Sequence, residues 1–148
     1  MKRSEILKEA RKYQALFFLR QRRLHMAAVV PRDGAIYVPF WRDNELVYEK
    51  AEPIILSVAK WLYIYEHPDI EHDAGRATCA LCMYQAMMFE GDCEYATTEE
   101  FCEGCPVSAK VGIFGCVGTP FSIWINNPNK RTAKAEMEFL IKIAMEIL

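Results

Sequence analysis

Four cysteines of this chain form two pairs with the same short spacing. Cys79 and Cys82 make the first CxxC pair, and Cys102 and Cys105 make the second. Two residues between cysteines let both sulfurs reach one ion while backbone amides donate to the thiolates. Four thiolates complete a tetrahedral shell, and the 19 residues between the pairs are usual for a four-cysteine zinc site. The spacing therefore predicts one metal centre, a structural zinc.

Three other interpretations of these cysteines stay open. Buried free thiols are common in protein cores, and disulfides are the second alternative. A [4Fe-4S] cluster is the third, because Cys105 is followed by Pro106 as in bacterial ferredoxin runs, although a third closely spaced cysteine is missing. Thiol–disulfide exchange is disfavoured, because neither pair is followed by a clear helix N-terminus within a βαβ thioredoxin pattern and Glu103 adds negative charge beside the second pair.

Cys93 and Cys116 lie outside the two pairs. Cys116 stands in a glycine-punctuated turn, so we expect it to be an alternate ligand that replaces one of the four. For Cys93 we expect no role, the alternatives being a bond to Cys116 or a free surface thiol. A shell closed by four cysteines leaves no position for a substrate, and no GxSxG, HExxH, P-loop or GxGxxG motif is present. The sequence therefore predicts no catalytic set.

The composition is that of a folded globular chain, with 52% hydrophobic and 26% charged residues in 148. This length fits a single domain, which we divide into a helix–hairpin–helix portion (1–68), a cysteine portion (69–127) and a C-terminal helix (128–148). No apolar run is long enough to span a membrane, and the first residues do not form a secretory signal. We therefore expect a cytoplasmic protein, where CxxC pairs favour metal binding over disulfides.

Charge is distributed unevenly along the chain. Residues 1–25 carry eight Lys and Arg against two Glu, whereas residues 66–104 carry ten acids against one Arg. Arg20, Arg22 and Arg23 cluster more densely than solubility requires, so we predict that they contact nucleic acid, an anionic membrane surface or an acidic protein. The alternatives are a solvated helix face and docking of this face on the acidic region.

Hydrophobic periodicity predicts an α+β fold, mostly α, with a helical core, a small β-hairpin and the four-cysteine knuckle site. The predicted elements are a basic amphipathic helix over 5–25, a hairpin over 29–38, a strand over 45–48, and helices over 53–67, 80–89 and 132–148. Pro39 restricts its strand to a sheet edge or a bulge.

Four motifs stand in the cysteine half of the chain: Cys79-Ala80-Leu81-Cys82, Cys102-Glu103-Gly104-Cys105-Pro106-Val107, Cys116-Val117-Gly118-Thr119-Pro120-Phe121 and Glu138-Phe139-Leu140. With these motifs, residues 79–148 resemble a group of short cysteine-containing proteins of tailed bacteriophages and prophages. The group's pattern has Tyr in place of Phe121 and no counterpart of Cys93. The resemblance implies a viral or mobile-element accessory protein and supplies no activity.

These features together predict a non-enzymatic, zinc-stabilised accessory protein that binds a macromolecule, in the first instance a protein, as an adaptor or inhibitor. One alternative is an iron–sulfur protein in electron transfer or in a nucleic-acid enzyme assembly. The other is a nucleic-acid binder that uses the basic segment 5–25.

Overall fold

The structure, a computed structural model, describes residues 1–70, 73, 78–88, 102, 104–112, 116 and 118–148. Its elements in chain order are α1 (Arg3–Lys12), a 3₁₀ turn (Gln14–Leu16), β1 (Phe17–Arg20), β2 (Arg23–Met26), β3 (Val30–Arg32), β4 (Ala35–Arg42), β5 (Glu45–Ala51), α2 (Pro53–Glu66), α3 (Ala80–Met88), α4 (Pro106–Val111), α5 (Pro120–Asn126) and α6 (Lys130–Ile147). The predicted α+β class is confirmed. The β part is larger than predicted, because the described strands form two antiparallel sheets.

The basic N-terminal segment is not one helix, so the prediction of a helix over 5–25 was wrong. α1 has only ten residues and is followed by the hairpin β1–β2. Gln21 and Arg22 close this hairpin with positive φ angles of 52° and 64°, as in a two-residue type I′ loop. Phe17 and Leu24 are buried from opposite strands. Their spacing of seven residues fits a helix equally well, and this misled the periodicity argument.

The second sheet is a three-stranded antiparallel meander with β4 in the middle. Two-residue loops, Asp33-Gly34 and Asp43-Asn44, join its strands, and all four loop residues have positive φ. The predicted hairpin and following strand are thus confirmed, although both β4 and β5 extend beyond their predicted ends. Pro39 lies past the residues of β4 that pair with β3 and so pairs only with β5. The prediction that its strand lies at a sheet edge or a bulge was therefore wrong, because β4 is the central strand and tolerates the proline where β3 does not pair with it.

α2 is the central helix of the fold. It begins at Pro53, as predicted, because proline lacks an N–H group that the first helical position does not need. It ends at Glu66, shortly before Pro68. Ten of its fourteen residues are buried, because α1, α3 and α6 pack around it. The hydrophobic core is therefore centred on α2.

The C-terminal part of the chain contains two short helices that the sequence analysis did not predict. α4 begins at Pro106 and α5 at Pro120, and the Thr119 hydroxyl accepts a hydrogen bond from the first turn of α5. The rings of Trp61 in α2 and Trp124 in α5 pack edge to face, with their centroids 5.2 Å apart, and this contact holds α5 against α2. None of the described helices has the length and apolar character needed to cross a membrane.

α6 completes the core along α2. The apolar periodicity that predicted a helix over 132–148 places Met137, Leu140, Ile141, Ala144, Ile147 and Leu148 on one face, and the first four are buried. Ile147 and Leu148, which continue this face, are exposed at the end of the helix. The predicted division of the chain into three portions stays a prediction.

Candidate metal centre

Five cysteines from three segments of the chain line one cavity of about 250 Å³. The four predicted ligands, Cys79, Cys82, Cys102 and Cys105, contribute to its wall together with the predicted alternate, Cys116. None of these five is in a disulfide. Residues separated by up to 37 positions in the sequence thus meet at one place. Cys93 lies outside the described residues.

Cys79 stands directly before α3, and its carbonyl accepts a helical hydrogen bond from Met83 at 3.0 Å. The Cys82 thiol donates to the Cys79 sulfur, which lowers the pKa of Cys79 to about 6 and raises that of Cys82. The ammonium group of Lys60 and the backbone N–H groups of Cys82 and Leu81 also lower the pKa of Cys79, against the effect of burial. Cys79 is therefore placed to be a thiolate.

Cys105 holds the equivalent place before α4. Its carbonyl accepts a hydrogen bond from Ala109 at 3.0 Å. Burial raises the pKa of Cys105, and the N–H groups of Ser108 and Val107 partly offset this effect by favouring its thiolate. Both cysteines thus meet backbone amides two and three residues further along the chain. This is the arrangement expected of a metal knuckle, where amides donate to a ligating sulfur.

A tight turn joins Cys102 to Cys105. The Cys105 N–H donates to the Cys102 carbonyl at 3.0 Å, and Gly104 has a φ of 83°, which favours glycine. The predicted helix after Cys79 is confirmed by α3, whereas the helix α4 after Cys105 was not predicted. Sequence reasoning missed α4 because six residues are too few to show a helical period.

Cys116 reaches the same cavity from the turn before α5. Its carbonyl accepts hydrogen bonds from the hydroxyl and the N–H of Thr119, at 2.7 and 3.4 Å. Although the residue is exposed overall, desolvation, together with the charges of Cys79 and Glu136, raises the pKa of its thiol to about 12. Cys116 is therefore a neutral thiol beside Cys79.

Four polar side chains that the sequence analysis missed complete the cavity wall: Ser57, Lys60, Ser108 and Glu136. All four are buried. Ser57 Oγ, Ser108 Oγ and Glu136 Oε2 have no hydrogen-bond partner among the described residues. Buried polar atoms without a partner are rare in folded proteins. These three atoms are available to hydrogen-bond a group that enters the cavity.

Glu136 and Lys60 set the charge of the cavity. Burial raises the pKa of Glu136 to about 8, although the Phe121 N–H and the Lys60 ammonium favour its ionised form. Lys60 forms a buried ion pair with Asp73. The sequence signal for both residues was a charged side chain on an otherwise apolar helix face, since Lys60 lies in the apolar stretch of α2 and Glu136 precedes the buried Met137.

The predicted metal site is not present as a formed coordination shell. In the part of the chain that the structure describes, no three His, Cys, Asp or Glu side chains are grouped closely enough to hold a metal ion. Zinc binds thiolate sulfur at about 2.3 Å, so binding requires the sulfurs to draw together across the cavity. The chemistry of the donors nevertheless fits zinc, because the cavity offers several thiols and two of them face backbone amides.

No protein-family model, curated protein or solved structure matches this chain.

The predicted binding residues Arg20, Arg22 and Arg23 lie together at the end of the hairpin β1–β2, and all three are exposed. Arg20 and Arg23 are cross-strand neighbours. Arg22 Nε donates to the Asp69 carbonyl at 3.1 Å. The arginine cluster is therefore present, but a hairpin carries it instead of the predicted helix.

Proposed function

We propose that this protein is a zinc-stabilised binding protein that acts as an adaptor or inhibitor of another macromolecule. The observation that carries the proposal is the convergence of five cysteines on one cavity, with Cys79 and Cys105 in equivalent positions before two helices. Zinc is favoured over harder ions because thiolates are its preferred ligands, and a four-thiolate site is a structural one.

The proposed ligands are Cys79, Cys82, Cys102 and Cys105, with Cys116 as the alternate. An ion held by them joins α3 to the knuckle that precedes α4, two segments that the sequence separates by the 19 residues between the pairs. Trp61 of α2 and Leu140 of α6 also line the cavity. Zinc would therefore fasten the cysteine segments to the helical core and supply stability, while binding takes place on the surfaces that it holds in place.

The biological setting in this proposal follows from the resemblance of residues 79–148 to phage proteins. We propose an accessory protein of a virus or mobile element that works in the cytoplasm of the host cell. A reducing compartment suits the site, because its thiols stay available for a metal ion.

A second candidate function is thiol–disulfide exchange, favoured by the position of Cys79 at the start of α3 and its hydrogen bond from Cys82. In this reaction the Cys79 thiolate attacks a partner disulfide and releases one thiol. Cys82 then displaces the second thiol, leaving a Cys79–Cys82 disulfide and a reduced partner. Metal binding is ranked first, because exchange needs two cysteines and leaves the convergence of the other three without a role.

Chelation tests the proposal. Reduced protein is unfolded by heat as a zinc-loaded sample and after exhaustive chelation, with Cys93→Ser as the matched control. We expect chelation to lower the Tm of both proteins by roughly 10 °C or more, because zinc binding in knuckle peptides contributes about 10–16 kcal/mol to folding. In Cys79→Ser the Tm should be low with or without zinc. Equal Tm values for loaded and chelated wild-type protein would reject a structural metal, and disulfide reduction by the chelated protein would favour the second candidate.

A further inference from the structure

The meander β3–β4–β5 has one face on the core and a second face whose described residues, apart from the buried Ala35, are exposed or half-buried. Ile36 and Val38 of β4 are fully buried on the inner face. Side chains alternate along a strand, so Tyr37, Pro39 and Trp41 lie on the opposite side, called the outer face here. Directly paired residues share a face, which adds Leu46, Tyr48 and Lys50 of β5.

Two of the three exposed aromatic residues in the described part of the chain, Trp41 and Tyr48, lie on the outer face. The Trp41 side chain is 76% exposed, and its cross-strand partner Leu46 is 47% exposed. Tyr48 is 43% exposed and lies diagonally between Trp41 and Tyr37, at a distance that aromatic side chains bridge. Three rings, Tyr37, Tyr48 and Trp41, thus form a row across two strands.

The charges of the sheet divide between its two faces. Arg32 and Lys50 are on the outer face, and the Arg32 guanidinium lies over the Tyr37 ring at 5.7 Å. The two acids within these strands, Glu45 and Glu49, alternate to the inner face, where Glu49 forms ion pairs with Arg42 and Lys12. The strand positions of the outer face therefore combine a row of rings with two cations and no carboxylate.

We propose that the outer face binds single-stranded nucleic acid, with bases stacked on Trp41 and Tyr48 and phosphates held by Arg32 and Lys50. Aromatic platforms flanked by cations are how sheet surfaces bind single strands, since every base has a face that stacks. An uncharged protein surface would use the rings and leave both cations without partners, so charge complementarity favours a polyanion. This inference names a partner class for the proposed adaptor and rests on that proposed function.

The structure also makes binding directly observable. Trp61 and Trp124 are each 3% exposed, so an aqueous ligand that quenches tryptophan fluorescence acts on Trp41. The probe is an oligo(dT) of about 20 nucleotides, long enough to cover one aromatic platform. Fluorescence quenching and anisotropy of the labelled oligonucleotide are measured on reduced, zinc-loaded protein at low salt, and zinc content is determined on each sample.

We expect oligo(dT) to quench Trp41, with Trp41→Ala weakening binding roughly 5- to 150-fold. Trp41→Phe should lose less, because it keeps a stacking ring. Arg32→Ala and Lys50→Ala should each reduce the slope of log K against log salt by about 0.7. Ile123→Ala, which changes an exposed apolar residue of α5, is the matched control and should bind as the wild type does.

Three results would overturn the assignment. One is the absence of oligo(dT) binding at low salt. Another is binding that survives Trp41→Ala but is lost in the triple variant Arg20→Ala/Arg22→Ala/Arg23→Ala, which assigns it to the hairpin β1–β2. The third is a self-association, seen by sedimentation, that Trp41→Ala abolishes, because the outer face is then a protein interface. If Trp41→Ala still binds one zinc, the metal proposal stands, and each of these three results counts against the nucleic-acid proposal alone.

Discussion

Lys60 Nζ lies 2.9 Å from Asp73 Oδ2, with only 4% and 2% of the two side chains exposed. The Thr78 hydroxyl donates to the other carboxylate oxygen at 2.8 Å. Lys60 belongs to the central helix, whereas Asp73 and Thr78 precede Cys79 in the chain. The pair therefore anchors the approach to the first CxxC pair on the core, and Lys60 also forms part of the cysteine cavity.

Breaking this ion pair should be strongly destabilising. Lys60→Met leaves the Asp73 carboxylate buried without its cation, which typically costs about 3–5 kcal/mol. Urea unfolding of zinc-loaded protein measures the loss. The double variant Lys60→Met/Asp73→Leu should recover part of it, because apolar pairs often replace buried ion pairs without loss. A single variant as stable as the wild type would show that the pair does not hold this segment.

The cysteine variants should separate into two groups by zinc content. Cys79→Ser and Cys105→Ser remove the two sulfurs that face backbone amides, so we expect less than half an equivalent of zinc after gel filtration, a loss expected when one of four ligands is removed. Cys116→Ser should retain one equivalent, because the two CxxC pairs remain. If Cys102→Ser retains zinc and Cys116→Ser loses it, the fourth ligand is Cys116 and not Cys102.

Glu136 should make the stability of metal-free protein depend on pH. Its folded-state pKa of about 8 lies above the ordinary value of 4.5. The folded state therefore holds a proton that the unfolded state releases, and stability falls as pH rises from 4.5 to 8. The free energy of unfolding of Glu136→Gln, taken relative to that of the wild type, should rise by about 1.4 kcal/mol per pH unit between pH 6 and 7.5. Urea unfolding of both proteins at each pH measures the difference, and a difference independent of pH would contradict the prediction.

The loops of the meander provide a backbone test. Gly34 has a φ of 75°, and a Cβ atom added there meets nothing within 4 Å. Gly34→Ala should therefore destabilise the protein by about 1 kcal/mol, because alanine disfavours a positive φ and not because its Cβ atom clashes. Asn44→Gly, in the equivalent loop at a φ of 65°, should be neutral or stabilising by a few tenths of a kcal/mol. Equal effects of the two substitutions on the urea midpoint would argue against type I′ loops.

Helices with strong local signals could be predicted from the sequence. α2 has a proline at its first position and a long apolar stretch, and α6 has a regular apolar face, so both were found with small boundary errors. The hairpin β1–β2 was missed because its loop, Gln21-Arg22, lacks the glycine or asparagine that usually marks positive φ. α5 was missed because its seven residues are shorter than the window in which a period can be recognised.

The residues of the candidate site also differ in whether a local sequence pattern reveals them. The CxxC spacing is a local pattern, so the sequence identified Cys79, Cys82, Cys102 and Cys105, and the glycine turn identified Cys116. Lys60 and Glu136 reach the cavity only through the packing of α2 and α6. A charged residue on an apolar helix face is the one local signal that they give, and it does not show which distant groups they meet.

Metal analysis combined with an absorption spectrum tests the central claim most directly. Protein purified anaerobically under reducing conditions should contain one zinc per chain and be colourless, because zinc has a filled d shell. Cys93→Ser should give the same result. Iron in stoichiometric amount with a brown colour would replace zinc by an iron–sulfur cluster. A folded protein free of metal would contradict the account, since five converging thiols would then hold no ion.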